Sequence, residues 1–204
     1  RQTVTRLDGI REKIGADDVK YIEGCGLVEN NKQNDQVRTA EELVQQTGDI
    51  QTIIFVGGIS PKLEGEEMPV HVAGFKGGDR EDIELPAVQR ELIKALFKAG
   101  KKVILVNCSG SAVGLVPEVA HTDAILQAWY PGEQGGMAVV DVLFGDFNPS
   151  GKLPVTFYRN VSQLPDYQDY RMSNRTYRYM KDKPLFPFGY GLSYTSFRFD
   201  KAKV

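Results

Sequence analysis

The sequence predicts an α/β fold: a three-layer sandwich with a mostly parallel sheet of about six strands and helices on both faces. Three observations predict it. Short, continuous apolar runs recur at 53–56, 103–106 and 124–128. Segments with a helical apolar stripe alternate with those runs. Helix-like segments stop at glycines, namely Gly15, Gly100 and Gly145.

Each element follows from its residues. Leu7, Ile10 and Ile14 fit a short helix ending at Gly15, and 19–22 is a short strand candidate. Thr39 suits the N-cap of a helix over 40–47, with Glu42 placed as its capping-box partner. The run 53–56, closed by Gly57 and Gly58, reads as a strand buried on both faces. Pro86 opens the clearest helix, 86–99, whose stripe is Val88, Leu92, Ile93, Leu96 and Phe97. Buried strands are expected at 103–106 and 124–128. A helix over 133–144 carries Met137, Val140, Leu143 and Phe144 on one face, and 153–157 is a further strand candidate. After Arg159 the texture changes to Tyr, Arg, Asp and Pro without helical period. An alternating pattern, Leu192, Tyr194, Phe197 and Phe199, then begins a strand-like segment. The expected organisation is one sandwich domain over 1–159 and a wrapping tail over 160–204.

Composition bounds the function. The chain has 204 residues, 41% hydrophobic and 25% charged, which is ordinary for a globular domain with a sizeable core. A net charge of −2 offers no basic footprint for a nucleic acid. No apolar run has membrane-spanning length, and residues 1–15 lack the apolar core of a signal peptide. The expected partners therefore include neither nucleic acid nor membrane. Cys25 and Cys108 end apolar runs and read as buried free thiols. His71 and His121 stand alone, so no metal is expected, and no cofactor is implied.

In a parallel sheet, ligands meet the loops beyond the strand C-termini. That places the weight on three loops, 57–78, 108–114 and 129–136. The first runs about twenty residues, a length that marks loops with a function or without order. It holds Glu64, Glu66 and Glu67 close together. Mutual repulsion raises at least one carboxyl pKa in such a group, and a protonated carboxyl can serve as a general acid. On spacing alone, an inert, solvated acidic loop is the favoured reading. Asp79 and Arg80 read as structural, pairing or capping the chain toward Leu85. Gly57-Gly58 lacks the pattern of a phosphate loop, and Ser111 lacks a Gly-x-Ser-x-Gly setting. Trp129, the single tryptophan, and Tyr130 follow a strand. Trp129 either stacks on a sugar ring or fills core beneath the loop.

Several linked motifs resemble the second domain of glycoside hydrolase family 3. They are Gly57-Gly58, Leu63-Glu64-Gly65-Glu66, Gly78-Asp79-Arg80 and Leu85-Pro86 with Gln89. Trp129-Tyr130-Pro131-Gly132-Glu133-Gln134-Gly135-Gly136 follows, and then the stretch from Leu143-Phe144-Gly145-Asp146 to Pro154-Val155-Thr156-Phe157. Phe186-Pro187-Phe188-Gly189-Tyr190-Gly191 resembles the passage into a fibronectin type III-like module. The resemblance implies a partner (β/α)8 barrel, N-terminal in the same protein, that supplies an aspartate nucleophile. It implies that this domain lends a glutamate acid/base to retaining hydrolysis of an oligosaccharide or aryl β-glycoside, releasing terminal β-D-xylosyl or β-D-glucosyl residues. Two carboxyl groups about 5–5.5 Å apart serve that mechanism. Glu66, preceded by Gly65, aligns best with the acid/base, Glu64 second and Glu67 third. Trp129 and Tyr130 are the candidate substrate-binding residues. A periplasmic or secreted location is the family expectation, and the 204 residues alone are expected to be inactive. The alternatives are a non-catalytic carbohydrate-binding or scaffold domain and a flavodoxin-like nucleotide binder, which the absent phosphate loop disfavours.

Overall fold

The computed structural model describes residues 3–29, 39–64, 68–77 and 79–202. Its elements run in the order α1 (Arg6–Ile14), α2 (Ala40–Thr47), β1 (Thr52–Gly58), α3 (Pro61–Glu64), β2 (His71–Val72), β3 (Phe75–Lys76) and β4 (Asp79–Arg80). Then come α4 (Ala87–Lys98), β5 (Lys102–Cys108), α5 (Val116–His121), β6 (Ala124–Gln127), α6 (Gly135–Leu143) and α7 (Thr176–Tyr179). Two 3-10 turns lie at Ala16–Asp18 and Val161–Gln163. No described helix is long and apolar enough to cross a membrane.

The described residues fall into two compact units. The first comprises Arg1–Val19, Pro131–Pro154 and Phe188–Val204. Within it α1 packs on α6, and the absence of a side chain at Gly9 allows the approach: a Cβ there would lie 3.1 Å from Val140 Cγ2. The backbone N–H of Val4 donates to Glu133 O at 3.1 Å, and that of Leu153 to Tyr190 O at 2.8 Å.

The second unit, Lys20–Tyr130 with Val155–Pro187, is the α/β part. Its main sheet has the order β1-β5-β6, all parallel, in register from Thr52↔Lys102 to Gly58↔Cys108 and from Ile104↔Ala124 to Asn107↔Gln127. Parallel pairing demands crossovers, and α4 and α5 lie on the two connections. The central strand β5 is buried over most of its length, with Val103, Leu105 and Val106 fully enclosed. That accounts for its unbroken apolar run. Phe55 and Leu105 from the sheet meet Leu92, Ile93 and Leu96 of α4 and Leu43 of α2 in the core. The predicted box at α2 is present: Glu42 N–H donates to Thr39 Oγ1 at 3.2 Å and Thr39 N–H to Glu42 Oε2 at 2.7 Å.

The end of β1 is shaped by two residues. Gly58 has φ 126°, and a Cβ there would fall 1.9 Å from the Cys108 carbonyl oxygen, so only glycine fits. Gln89, buried in α4, accepts from the Gly58 N–H at 2.8 Å and donates to the carbonyls of Gly58 at 2.7 Å and Leu27 at 2.6 Å.

Several expectations need correction. Among the described residues the parallel sheet has three strands, not about six; the other three, β2-β3-β4, form a small antiparallel sheet inside the long loop after β1. Residues 19–22 make no ladder, and 153–157 contributes only a single bridge, Phe157↔Phe186. Pro154 has no N–H to give a ladder there. Phe97 leaves the buried stripe of α4, 45% exposed, and its ring meets His121 edge-on at 5.3 Å. The alternating residues Leu192, Tyr194, Phe197 and Phe199 form no strand and are exposed.

Candidate active site

Because β1, β5 and β6 run the same way, their C-terminal ends lie along one edge of the sheet. The loops leaving that edge meet at Glu64. The chain leaves β1 at Gly58, and the Ile59 N–H donates to Cys108 O at 2.8 Å, before the short helix α3 ends on Glu64. The loop after β5 brings up Gly110 and Ser111, and the residues after β6 bring up Tyr130. Gly110 N–H donates to Glu64 Oε2 at 3.0 Å, the Ser111 hydroxyl donates to Oε1, and the Tyr130 hydroxyl donates to Oε2.

Arg80, from β4, flanks the same group. Its Nη1 donates to Ser111 Oγ at 2.9 Å and to Ala112 O at 3.2 Å, and its Nε to Asp82 O at 3.1 Å. Asp79 accepts from the Arg80 N–H at 2.8 Å. Both residues thus brace the loop. Behind Ser111 lies a polar network at the strand ends. Ser109 Oγ donates to Ser111 O at 2.8 Å, Gln127 Nε2 donates to Ser109 Oγ at 3.0 Å, and Asn107 Nδ2 donates to Gln127 Oε1 at 2.7 Å.

The electrostatics follow from these partners. Burial pushes the Glu64 carboxyl up, but the hydrogen bonds from Ser111, Tyr130 and Gly110 and the charge of Arg80 outweigh it, so the pKa is lowered. The repulsion expected among the loop carboxylates therefore does not raise the pKa of Glu64. Glu66 and Glu67 lie outside the described residues. Burial, then its hydrogen bond to Glu64 and that carboxylate's charge, pushes the Tyr130 phenol up. It remains a proton donor to Glu64 at any ordinary pH.

Trp129 is half-buried, its ring edge-on to the buried Phe157 at 6.0 Å and 71°. Its backbone has φ 55°, a left-handed conformation unusual for a bulky residue. Tyr130 is 37% exposed and reaches Glu64, whereas Trp129 turns its ring to Phe157. The sequence marks 108–114 as a loop to watch and gives Ser111 no nucleophile setting, but it does not show that Gly110 and Ser111 meet Glu64. Their part emerges only from parallel adjacency, which places the loop after β5 beside the loop after β1.

The architecture is that of an α/β domain offering acidic and aromatic loops at the strand ends. The profile of the glycosyl hydrolase family 3 C-terminal domain matches residues 1–194. The chain belongs to that family. It is 66% identical over 164 residues to a xylan 1,4-beta-xylosidase of Xylanibacter ruminicola, covering 80% of this chain and 19% of that protein. It is 36% identical to a periplasmic beta-glucosidase of Salmonella typhimurium, over 96% of this chain and 28% of that protein. A solved β-glucosidase from Erythrobacter marinus superposes with a TM-score of 0.74 at 36% identity, over 96% of this chain and 28% of that one. The chain thus spans less than a third of each of these relatives.

Proposed function

We propose that this chain is the second domain of a retaining β-glycosidase that removes terminal β-D-xylosyl residues, with β-D-glucosyl residues as the second choice. The observation that carries the reading is the 66% identity to a xylan 1,4-beta-xylosidase. The glucosyl alternative draws on the 36% identity to a β-glucosidase. The nucleophilic aspartate comes from an N-terminal barrel of the same protein, and Glu66 is the acid/base. In the first step the Glu66 carboxyl protonates the glycosidic oxygen as the aspartate attacks the anomeric carbon. In the second, the Glu66 carboxylate takes a proton from water as that water displaces the aspartate.

The environment of Glu64 supports giving the role to Glu66. A general acid needs a carboxyl that holds its proton near working pH. Glu64 is held as a carboxylate by three donors and the nearby Arg80.

The test uses the full-length protein on nitrophenyl β-xyloside and β-glucoside. Glu66→Gln should cripple cleavage, and azide should restore turnover on a substrate with a good leaving group by attacking the glycosyl-enzyme. Azide rescue of Glu64→Gln in its place would overturn the assignment. The 204 residues alone should give no turnover, and robust cleavage by them would sink the two-domain reading.

A further inference from the structure

Glu64 sits at the junction of three loops, yet its chemistry is wrong for the proton donor. Both carboxylate oxygens are occupied, Oε1 by Ser111 and Oε2 by Gly110 and Tyr130. The carboxylate and its donors come from three places in the sheet order. Glu64 follows β1, Gly110 and Ser111 follow β5, and Tyr130 follows β6. One carboxylate therefore joins the ends of all three parallel strands.

The partners are themselves fixed. Ser111 Oγ accepts from Arg80 Nη1 at 2.9 Å while donating to Glu64, so its single proton has one destination. The Ser111 carbonyl is held by Ser109, and Ser109 by Gln127. Tyr130 follows a residue in a costly conformation. A bulky side chain at φ 55° is disfavoured and persists only where its surroundings over-determine it. Here two contacts do so. The Trp129 ring abuts Phe157, and the next residue's hydroxyl binds Glu64. A strained turn ending in a charge-assisted hydrogen bond is how a scaffold holds a group to a fraction of an ångström.

We propose that Glu64 is a positioning residue: with Tyr130, Gly110 and Ser111 it ties the three strand ends into one rim, two residues ahead in sequence of the glutamate read as the acid/base. This rests on the reading of Glu66 as that acid/base. Small displacements of a reacting group cost rate steeply, of the order of 100-fold for about 1 Å. The clamp therefore acts on kcat more than on KM.

In the full-length enzyme, Glu64→Gln and Tyr130→Phe should each lower kcat about 10- to 100-fold with little change in KM. The basic limb of the pH–rate profile should remain, and azide should give no rescue. The double variant should lose no more than the worse single one, because both changes break the same contact. If kcat and the profile are unchanged in both variants while melting temperature falls, the clamp is only structural and the proposal fails. The reading of Glu66 then still stands on its own azide rescue. If Glu64→Gln is rescued by azide, Glu64 is itself the acid/base and both readings fall. Should Glu64→Gln not fold, Tyr130→Phe decides alone, since it removes a single oxygen from a partly exposed ring.

Discussion

Two glutamates of the α/β unit meet opposite treatment. Glu118, in α5, is 1% exposed, with Oε1 3.3 Å from Arg90 Nε and Oε2 without a hydrogen-bond partner among the described residues. Burial pushes its carboxyl up, its own backbone and Arg90 offset only part of that, and Glu84, which shares Arg90, adds to the rise. Glu64 is also penalised by burial, yet its pKa is lowered, because three donors and Arg80 converge on it. The lesson is that the count of donors, and not burial alone, decides the direction in which a carboxyl pKa moves. Glu64 gathers three donors, whereas Glu118 is paired with Arg90.

The strongest way to break this contrast is to remove the cation paired with Glu118. Arg90→Leu should destabilise the chain by about 3–5 kcal/mol, since it leaves Glu118 buried beside Glu84 without a counter-charge. Urea unfolding measures it. A loss under about 1 kcal/mol would mean that Glu118 is already neutral in the native state.

A second test sharpens the contrast through its sign. The lowered pKa of Glu64 contributes stability that is present above the ordinary carboxylate value of 4.5 and lost as pH falls through the folded pKa. The raised pKa of Glu118 contributes stability that is present below 4.5 and lost as pH rises through its folded pKa. Glu64→Gln should therefore flatten the acid side of the stability–pH curve, and Glu118→Gln the segment above 4.5. Urea melts between about pH 3 and 7 separate the two, and slopes of the same sign would refute the comparison.

The smallest effect belongs to Glu42, whose carboxylate serves only the first turn of its own helix. Thr39→Ala removes the other half of that capping box and should cost about 1 kcal/mol, measured in the same way. A much larger loss would show that the cap carries tertiary structure as well.

What could be read beforehand divides along the same line of local against distant. The caps, the α4 stripe and the three parallel strands were legible because each depends on residues within one or two turns or one apolar run. The strand count was not. Residues 19–22 and 192–199 have strand-like composition, but a strand exists only where a partner offers its backbone, and composition does not reveal the partner. At 153–157 the obstacle was in plain view in Pro154. The site divides likewise. The three strand-end loops could be named from the fold class, since a parallel sheet presents its loops on one edge. The donation of Ser111 and Tyr130 to Glu64 spans 47 and 66 residues of chain, and no local pattern encodes it.

Those separations also have a kinetic meaning. Glu64 can meet Gly110, Ser111 and Tyr130 only after β1, β5 and β6 are aligned in register, so the rim forms after the sheet and not with it. Contacts that wait on the aligned sheet are expected to be absent from the folding transition state, which a chevron plot of Glu64→Gln would show. Changes there leave the folding rate nearly untouched and appear in the unfolding rate. The rim is then the part whose sequence should vary with least consequence for how the domain folds, and with most for how long the native rim persists.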